Sequence, residues 1–209
     1  KTFCSNAPIA DVFVVYATTD PERSAGGITM FIVERDTPGL SIGAPMKKYE
    51  MHDAPTGELF FNNAKVPAEN LLGQENEGFM AMLTSLGWER IAFGPYVGFM
   101  EKQLMDSIHY TRSRKQFGRE IGRFQLIQAM LAEMKMDIDA SRYLAYHLAW
   151  KKDQGEDISL DAAVAKTFIT EAAFRVAEKA IQIHGGNGCM VEYGIGRNLW
   201  GAKMGMIGG

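Results

Sequence analysis

The helical half of this chain is organised around one segment, Arg114-Lys-Gln-Phe-Gly-Arg-Glu-Ile-Gly-Arg-Phe-Gln-Leu-Ile-Gln128. Two glycines allow its backbone to turn or to approach a ligand closely, and Phe117 and Phe124 add flat side chains. The segment also gathers four cationic residues, Arg114, Lys115, Arg119 and Arg123. Cationic groups beside aromatic rings suit a ligand with phosphate and aromatic parts. The sequence therefore predicts a ligand-binding loop between two helices.

On both sides of this loop, apolar residues recur every three or four positions over lengths that no strand reaches. These patterns predict three long helices, at about 76–110, 124–152 and 160–184. The turn at 154–157 is short, and short links favour antiparallel neighbours. We therefore expect an antiparallel helical bundle over residues 74–209, with its fourth helix supplied from outside this sequence.

Before residue 73 the periodicity is that of strands. β-branched and aromatic residues are concentrated in three short runs, 11–16, 27–33 and 58–61, and turns with proline or glycine separate the runs. This pattern predicts an antiparallel sheet or small barrel over residues 1–73. The chain is thus expected to belong to the α+β class, with a β domain followed by a helical domain.

The composition is that of an ordinary globular protein, with 46% hydrophobic and 22% charged residues. A formal net charge of -3 gives no reason to expect nucleic-acid binding. Cys4 and Cys189 form neither a metal-ligand spacing nor a disulfide framework. We expect no metal site, no membrane span and a reducing intracellular compartment, bacterial cytoplasm or mitochondrial matrix. Because the chain begins at Lys1 within a strand-like pattern, we also expect a piece of a longer protein.

A second glycine-rich segment, Gln182-Ile-His-Gly-Gly-Asn-Gly188, ends the third predicted helix. One glycine in such a place is an ordinary helix stop. Three glycines together with Asn187 make a loop that a cofactor can approach closely. Both interpretations, a ligand loop and an elaborate helix end, fit these residues.

Four ordered segments carry a further signal: Lys1-Thr-Phe-Cys-Ser-Asn6, then Glu58-Leu59 with Val66-Pro67 and Leu72-Gly73, then Arg114-Lys-Gln-Phe-Gly118, and finally Gln182 to Gly188. Together they resemble the acyl-CoA dehydrogenase family, flavoenzymes that desaturate acyl-CoA thioesters between Cα and Cβ. The first segment resembles the family's K-x-W-I-T-N strand, the second its E-L…V-P…L-G run, and the last two its cofactor loops. The resemblance implies a middle β-barrel domain followed by a C-terminal helical domain.

The resemblance also implies FAD, bound in an extended form between subunits of a homo-oligomer, a dimer or a tetramer. Ser5 matches the family threonine that hydrogen-bonds the flavin near N5, and Phe3 matches the tryptophan that stacks on the flavin ring. The pyrophosphate and adenosine of FAD would be met from the neighbouring subunit by Arg114, Phe117, Gln125, Gln182, Gly185 and Gly186.

The family reaction needs a base that removes the α-proton while hydride leaves Cβ for flavin N5. The position of the usual glutamate aligns with Gly209, so the usual base is missing from this sequence. In the branch typified by isovaleryl-CoA dehydrogenase the base lies on the long helix after the barrel, where Glu89 matches it. Trp88 and Ile91 favour a buried position for Glu89, and the simpler alternative is a solvated glutamate on a helix surface.

Arg90 matches the family arginine that stabilises this region and the CoA chain. If residues 76–110 form one helix, a rise of about 1.5 Å per residue places its early part roughly 30 Å or more from the Arg114 loop. One compact active centre would then not hold both.

Several positions depart from the family pattern. Gly87 stands where an aspartate contacts the pantetheine, and Trp200-Gly201 replaces an arginine and an aspartate. His52 replaces an arginine, and Cys189 occupies a place that is commonly aromatic. These departures favour an unusual substrate or a specialised member of the family.

The resemblance implies an acyl-CoA dehydrogenase that acts on a CH–CH group and passes electrons to an electron-transferring flavoprotein. An acyl-CoA oxidase and a flavin-dependent monooxygenase of the same fold are alternatives, because these residues do not specify the electron acceptor. A catalytically silent homologue, acting as an oligomeric binding protein, is the alternative from another class. The missing usual base and the altered segment at Trp200 motivate it.

Overall fold

A computed structural model describes residues 1–208. The chain divides into two compact units, Lys1–Ser85 and Leu86–Gly209. The first consists mainly of strands and the second of helices, which confirms the predicted order of an antiparallel β part followed by a helical part. The domain boundary predicted at residues 73 and 74 stays a prediction.

Seven short strands form the first unit, and two short 3-10 helices, Pro21–Gly27 and Ala68–Asn70, connect some of them. The strands are β1 Cys4–Ser5, β2 Val12–Thr18, β3 Ile28–Glu34, β4 Leu40–Ile42, β5 Thr56–Gly57, β6 Leu59–Phe61 and β7 Leu71–Leu72. All pairings are antiparallel, in one three-stranded sheet with the order β2-β3-β7 and two two-stranded sheets, β1-β5 and β4-β6.

The long hairpin of β2 and β3 shows why these residues form strands. Val12 lies opposite Glu34, and the register continues to Thr18 opposite Ile28. Phe13 and Val15 are buried while Val12 is exposed, which is the period-two alternation of a sheet with one covered face. The buried side chains of this unit are Ala7, Phe13, Val15, Val33 and Leu59.

Within residues 86–208, the helical unit contains the end of a first α-helix, four further α-helices and one small hairpin. In chain order these are α1 Gly78–Ile91, α2 Tyr96–Ser113, β8 Lys115–Gln116, β9 Arg119–Glu120, α3 Gln125–Asp153, α4 Ser159–His184 and α5 Arg197–Ile207. The division between the two compact units falls inside α1. Within residues 1–208, no helix is both long enough and apolar enough to cross a membrane.

Helix α4 is the central helix of the bundle and contacts α2, α3 and α5. Its buried positions are mostly alanine, including Ala162, Ala172, Ala173 and Ala177, all at 0% exposure. Small side chains allow three other helices to approach this one closely. Met100 of α2 and Met134 and Ile138 of α3 are almost fully buried in the same core.

The prediction of one continuous helix over 76–110 is wrong. The helix stops at Ile91, and a turn over residues 92–95 separates it from α2. Pro95 explains the break, because proline has no N–H to donate to the carbonyl of Ile91 and its ring clashes with that turn. The distance of roughly 30 Å between the early part of this segment and the Arg114 loop assumed one continuous helix, so it no longer applies.

The expectation that the fourth bundle helix comes from outside this sequence also needs correction. Helix α5 lies within the described residues and packs against α4. Ala202 and Gly205 are its buried positions. Glycines within Arg197–Ile207 weaken the helical signal of this segment in the sequence.

Candidate functional site

A cleft at one end of the helical bundle, here called the loop cleft, has a volume of about 700 Å³. The end of α2, the β8–β9 hairpin, the start of α3 and the end of α4 surround it, because both glycine-rich segments lie at the same end of the bundle. Five of the predicted cofactor residues line it, namely Arg114, Phe117, Gln125, Gly185 and Gly186.

Arg114 ends α2 and is fixed through its backbone. Its N–H donates to the carbonyl of Tyr110 at 2.8 Å, and its own carbonyl accepts from the N–H of Ile121 at 2.9 Å. Its exposed guanidinium has no ion pair with any residue in 1–208. An arginine whose backbone is fixed and whose guanidinium is unpaired is well suited to bind phosphate.

The other three cations of the loop already have partners. Glu120 accepts from Arg123 at 2.7 Å and lies 3.8 Å from the ammonium of Lys115. A hydrogen bond from its own backbone, followed by the contacts with Arg123, lowers the pKa of this half-buried carboxyl. Arg119 lies 4.3 Å from the centre of the Phe124 ring. Of the four cations, only Arg114 is thus uncommitted among the described residues.

The β8–β9 hairpin presents Phe117 to solvent. Phe117 and Gly118 have φ angles of 52° and 81°, the left-handed pair that closes a tight two-residue hairpin. Phe117 is 92% exposed and meets Phe124 edge to face, with 6.2 Å between ring centres. An aromatic side chain in this strained and solvated position offers a flat surface to a ligand or to another chain.

Three residues outside the predicted set of cofactor residues hold the cleft wall together: Tyr110, His184 and Asn187. The rings of Tyr110 and His184 are stacked with centres 4.3 Å apart. The Asn187 amide donates to the Tyr110 hydroxyl at 2.9 Å, and that hydroxyl donates to the His184 carbonyl at 3.3 Å. This cluster fixes the second loop against α2.

His184 is buried, and its Nδ1 lies 2.8 Å from the carbonyl of Ala180. A carbonyl only accepts, so Nδ1 carries the proton and Nε2 is left as an acceptor in the neutral ring. One signal for this cluster was available in the sequence. Tyr110 lies in the last turn of α2, directly before the Arg114 loop, so its place near the loop could have been expected from the sequence.

The glycines of the second loop leave its backbone open. Gly185 ends α4 at a φ of 58°, where a side chain would be strained. A Cβ built on Gly185 or Gly186 would meet nothing within 4 Å, whereas one built on Gly188 would lie 2.5 Å from the carbonyl oxygen of Ile181. Gly185 and Gly186 thus keep space for a ligand, and Gly188 serves the packing of the loop.

The remaining predicted residues lie outside the loop cleft. Gln182 is exposed on the last turn of α4 and does not line the cleft. Phe3, 75% exposed with a φ of 56°, and Ser5, exposed in β1, belong to the β unit. Residues 1–208 include no group of three or more His, Cys, Asp or Glu side chains arranged to hold a metal ion.

The predicted base, Glu89, is on α1 together with Arg90. Glu89 is exposed and Arg90 is half-buried. Trp88 is also exposed, at 58%, and the ammonium of Lys152 lies 4.4 Å from its ring centre. The described residues therefore do not bury Glu89, and its role stays a prediction. Gly209, the aligned position of the usual base, lies outside the described residues.

Comparison with known proteins assigns the fold to a family. The model of the acyl-CoA dehydrogenase middle domain matches residues 1–64, and that of the acyl-CoA dehydrogenase C-terminal domain matches residues 76–209. The chain belongs to the acyl-CoA dehydrogenase family.

Relatives in this family differ in their substrates. The chain is 41% identical over 196 residues to L-prolyl-[peptidyl-carrier protein] dehydrogenase of Pseudomonas fluorescens, covering 93% of the chain and 52% of the relative. It is 43% identical over 210 residues to mitochondrial isovaleryl-CoA dehydrogenase of Oryza sativa, covering 100% of the chain and 51% of the relative. The two sequence identities, 41% and 43%, are similar, so they do not favour the branch of isovaleryl-CoA dehydrogenase over other members of the family.

A solved structure of PigA with FAD and proline superimposes with a TM-score of 0.96 at 34% identity, over 99% of this chain and 54% of that one. The chain thus spans about half the length of the relatives it matches.

Proposed function

We propose that the protein carrying this chain is an FAD-dependent dehydrogenase that introduces a double bond between Cα and Cβ of an acyl thioester. The observation that supports it most strongly is the loop cleft, where an uncommitted Arg114, an exposed Phe117 and an open glycine backbone meet. Family membership supports the reaction class.

The residues of the loop cleft fit the adenosine-diphosphate end of FAD. The Arg114 guanidinium provides charge-assisted hydrogen bonds for the pyrophosphate, and Phe117 provides a flat face for a purine. Gly185 and Gly186 leave room for close approach because no Cβ fills the space beside them. Phe3 and Ser5 in the β unit are proposed to face the flavin end.

In the proposed reaction, Glu89 accepts the proton from Cα of the thioester and becomes a neutral carboxylic acid. Arg90, the next residue on α1, is proposed to hold the thioester arm. When bound, FAD supplies the acceptor for the hydride that leaves Cβ. One proton and one hydride thus leave the substrate, and a carbon–carbon double bond remains.

The thioester carrier has two candidates, CoA and a peptidyl carrier protein. Both present the acyl group on a phosphopantetheine arm, so one active site chemistry serves either. The carrier-protein alternative is favoured by the relative from Pseudomonas fluorescens, whose identity of 41% is close to that of the CoA-dependent relative. Prolyl groups on a carrier protein and short acyl groups on CoA are therefore the first substrates to compare.

The deciding experiment is anaerobic reduction of the FAD-loaded protein by each thioester, with Glu89→Gln as the variant. Loss of a general base lowers the rate by roughly 10²- to 10⁴-fold, so we expect slow flavin bleaching in E89Q with unchanged FAD content. Glu178→Gln, which removes an exposed carboxylate on α4, is the matched control. Full activity of E89Q would exclude Glu89 as the base, and no bleaching with any thioester would favour the silent homologue.

The electron acceptor is tested on the reduced protein. We propose an electron-transferring flavoprotein, so mixing with that protein should reoxidise the flavin quickly while oxygen reacts slowly. Fast reoxidation by oxygen with release of peroxide would instead indicate an acyl-CoA oxidase. Incorporation of oxygen into the product would indicate a monooxygenase.

A further inference from the structure

The β unit contains a hollow that the proposed function does not use. It lies in the connection from β4 to β5 and has a volume of about 380 Å³. Because one water molecule takes about 30 Å³ of liquid volume, this hollow is many times larger than a single water and has room for a small molecule. We call it the basic hollow, and its lining residues are Pro45, Met46, Lys47, Lys48, His52 and Pro55.

The charges around the basic hollow favour an anion. Lys47, Lys48 and His52 line it, and none of them has an ion pair within residues 1–208. The two acidic residues of the same loop, Glu50 and Asp53, do not line it. The composition of the β unit makes this sorting unexpected, because the unit contains eleven Asp or Glu and only six Lys or Arg. The hollow is thus a basic site within an acidic unit.

Lys48 is held in place although no acidic group neutralises its charge. Its ammonium donates to the carbonyl of Ala54 at 2.6 Å and to the hydroxyl of Thr56 at 3.0 Å. An ammonium has three N–H groups, so one of them remains for a ligand. Lys48 is also half-buried, and a partly buried charge loses some of its hydration. An anion in the hollow would compensate for that loss.

The loop around the basic hollow is closed by backbone hydrogen bonds. The N–H of Met46 donates to the carbonyl of Thr56 at 2.8 Å, which joins the two ends of the loop. Within the loop, the N–H of Ala54 donates to the carbonyl of Met51 at 3.2 Å. A proline near each end restricts the backbone further. A ligand that binds to a loop already held in this way has less ordering to bring about.

We propose that the basic hollow binds a phosphate group, supplied either by free phosphate or by a small phosphomonoester. A phosphomonoester carries about 1.5 to 2 negative charges at pH 7, which matches two ammonium groups better than a singly charged carboxylate does. Lysine commonly binds phosphate as a point charge. All lining residues belong to the β unit, so the site does not depend on FAD binding in the loop cleft.

His52 makes the affinity of this site depend on pH. Histidine ordinarily changes its charge between pH 5 and 8, whereas lysines and carboxylates keep theirs between pH 6 and 8. A protonated His52 adds a third positive charge to the hollow, so a dianion binds more tightly at pH 6 than at pH 8. The ionisable groups around His52 are Lys47 and Lys48 in the hollow and Tyr49, Glu50 and Asp53 in the same loop.

The test is a titration of the FAD-loaded protein at its natural length with inorganic phosphate and, separately, with glycerol 3-phosphate. Calorimetry measures the affinity, and NMR of labelled methionine methyl groups locates the site, because Met46 lines the hollow. We expect the Met46 signal to shift with the same affinity. Equal affinity for both probes would support the site with free phosphate as its ligand, and tighter binding of glycerol 3-phosphate would support it with an ester. Binding of neither probe, or shifts that leave Met46 unchanged, would overturn the proposal.

Two lysine variants test the charge of the site. Lys47→Gln should weaken binding of inorganic phosphate about 3- to 10-fold, because it removes one cation from a mostly solvated cluster. Lys47→Glu should abolish binding, since it places a like charge beside the anion. Lys65→Gln is the matched control, an exposed lysine of the same unit outside the hollow, and should change the affinity less than about twofold. Equal losses in K47Q and K65Q, or full binding in K47E, would refute a specific site.

Sulfate tests the role of His52, because it stays a dianion between pH 6 and 8 whereas phosphate itself titrates there. Sulfate should bind about 3- to 10-fold more tightly at pH 6 than at pH 8. His52→Gln should lose this difference, and His52→Arg should bind tightly at both pH values. An unchanged pH dependence in H52Q would show that a different group titrates, which would overturn the assignment of His52.

Discussion

Replacement of Tyr110 by phenylalanine tests whether the aromatic cluster positions the second loop for cofactor binding. The change keeps the ring that stacks on His184 at 4.3 Å. It removes only the hydroxyl, which accepts from Asn187 at 2.9 Å and donates to the His184 carbonyl at 3.3 Å. The variant therefore measures the contribution of these two hydrogen bonds separately from that of the ring packing.

The size of the effect follows from the geometry of these bonds. The 2.9 Å bond is of ordinary length, and the 3.3 Å bond is longer than the usual range and therefore weaker. At about 0.5–1.5 kcal/mol for a typical hydrogen bond, the free energy of unfolding should fall by about 1–2 kcal/mol. For a chain of this size, that is a decrease in Tm of roughly 2–8 °C.

FAD affinity should fall as well, because the loosened loop must be reordered when the cofactor binds. If the full 1–2 kcal/mol opposes binding, the dissociation constant rises by roughly 5- to 30-fold. Chemical denaturation of the apoprotein measures the first effect, and titration with FAD followed by flavin fluorescence measures the second.

Tyr193→Phe is the matched control for this experiment. Tyr193 packs edge to face on both Tyr110 and His184, and its hydroxyl has no hydrogen bond within residues 1–208. Its loss should change stability by less than about 0.5 kcal/mol. If Y110F and Y193F behave alike in both assays, the hydrogen bonds of Tyr110 do not hold the loop.

Two further predictions concern the loop glycines and a buried amide. Gly188→Ala should destabilise the protein by about 1–3 kcal/mol, since its Cβ would lie 2.5 Å from the Ile181 carbonyl oxygen. Gly186→Ala should leave the unfolding transition in place yet weaken FAD binding, and equal stability losses in both would contradict this division. Gln103 is fully buried, and its Oε1 has no hydrogen-bond partner among residues 1–208, so Gln103→Met should raise the free energy of unfolding by about 1 kcal/mol. A loss of stability on urea unfolding would show that this oxygen is satisfied, for example by a buried water.

Much of the fold was visible in the sequence. Strand alternation predicted runs at 11–16 and 27–33, and the structure forms β2 and β3 at Val12–Thr18 and Ile28–Glu34. The break before α2 was missed although Gly94 and Pro95 stand there, because apolar periodicity continued through them. Apolar periodicity indicates which face of a helix is buried, but it does not show whether the helix continues. A single proline is enough to interrupt the helix.

By itself, the sequence determined the chemistry available at the loops: an arginine, aromatic rings and glycines in an order that indicated the family. Only the tertiary structure decided how that chemistry is distributed. Within residues 1–208, Lys115, Arg119 and Arg123 have charged or aromatic partners, whereas Arg114 has none. The Asn187 bond to Tyr110 joins residues 77 positions apart. Partners so distant in sequence leave no local pattern, because their contact exists only after α2 and α4 have packed together.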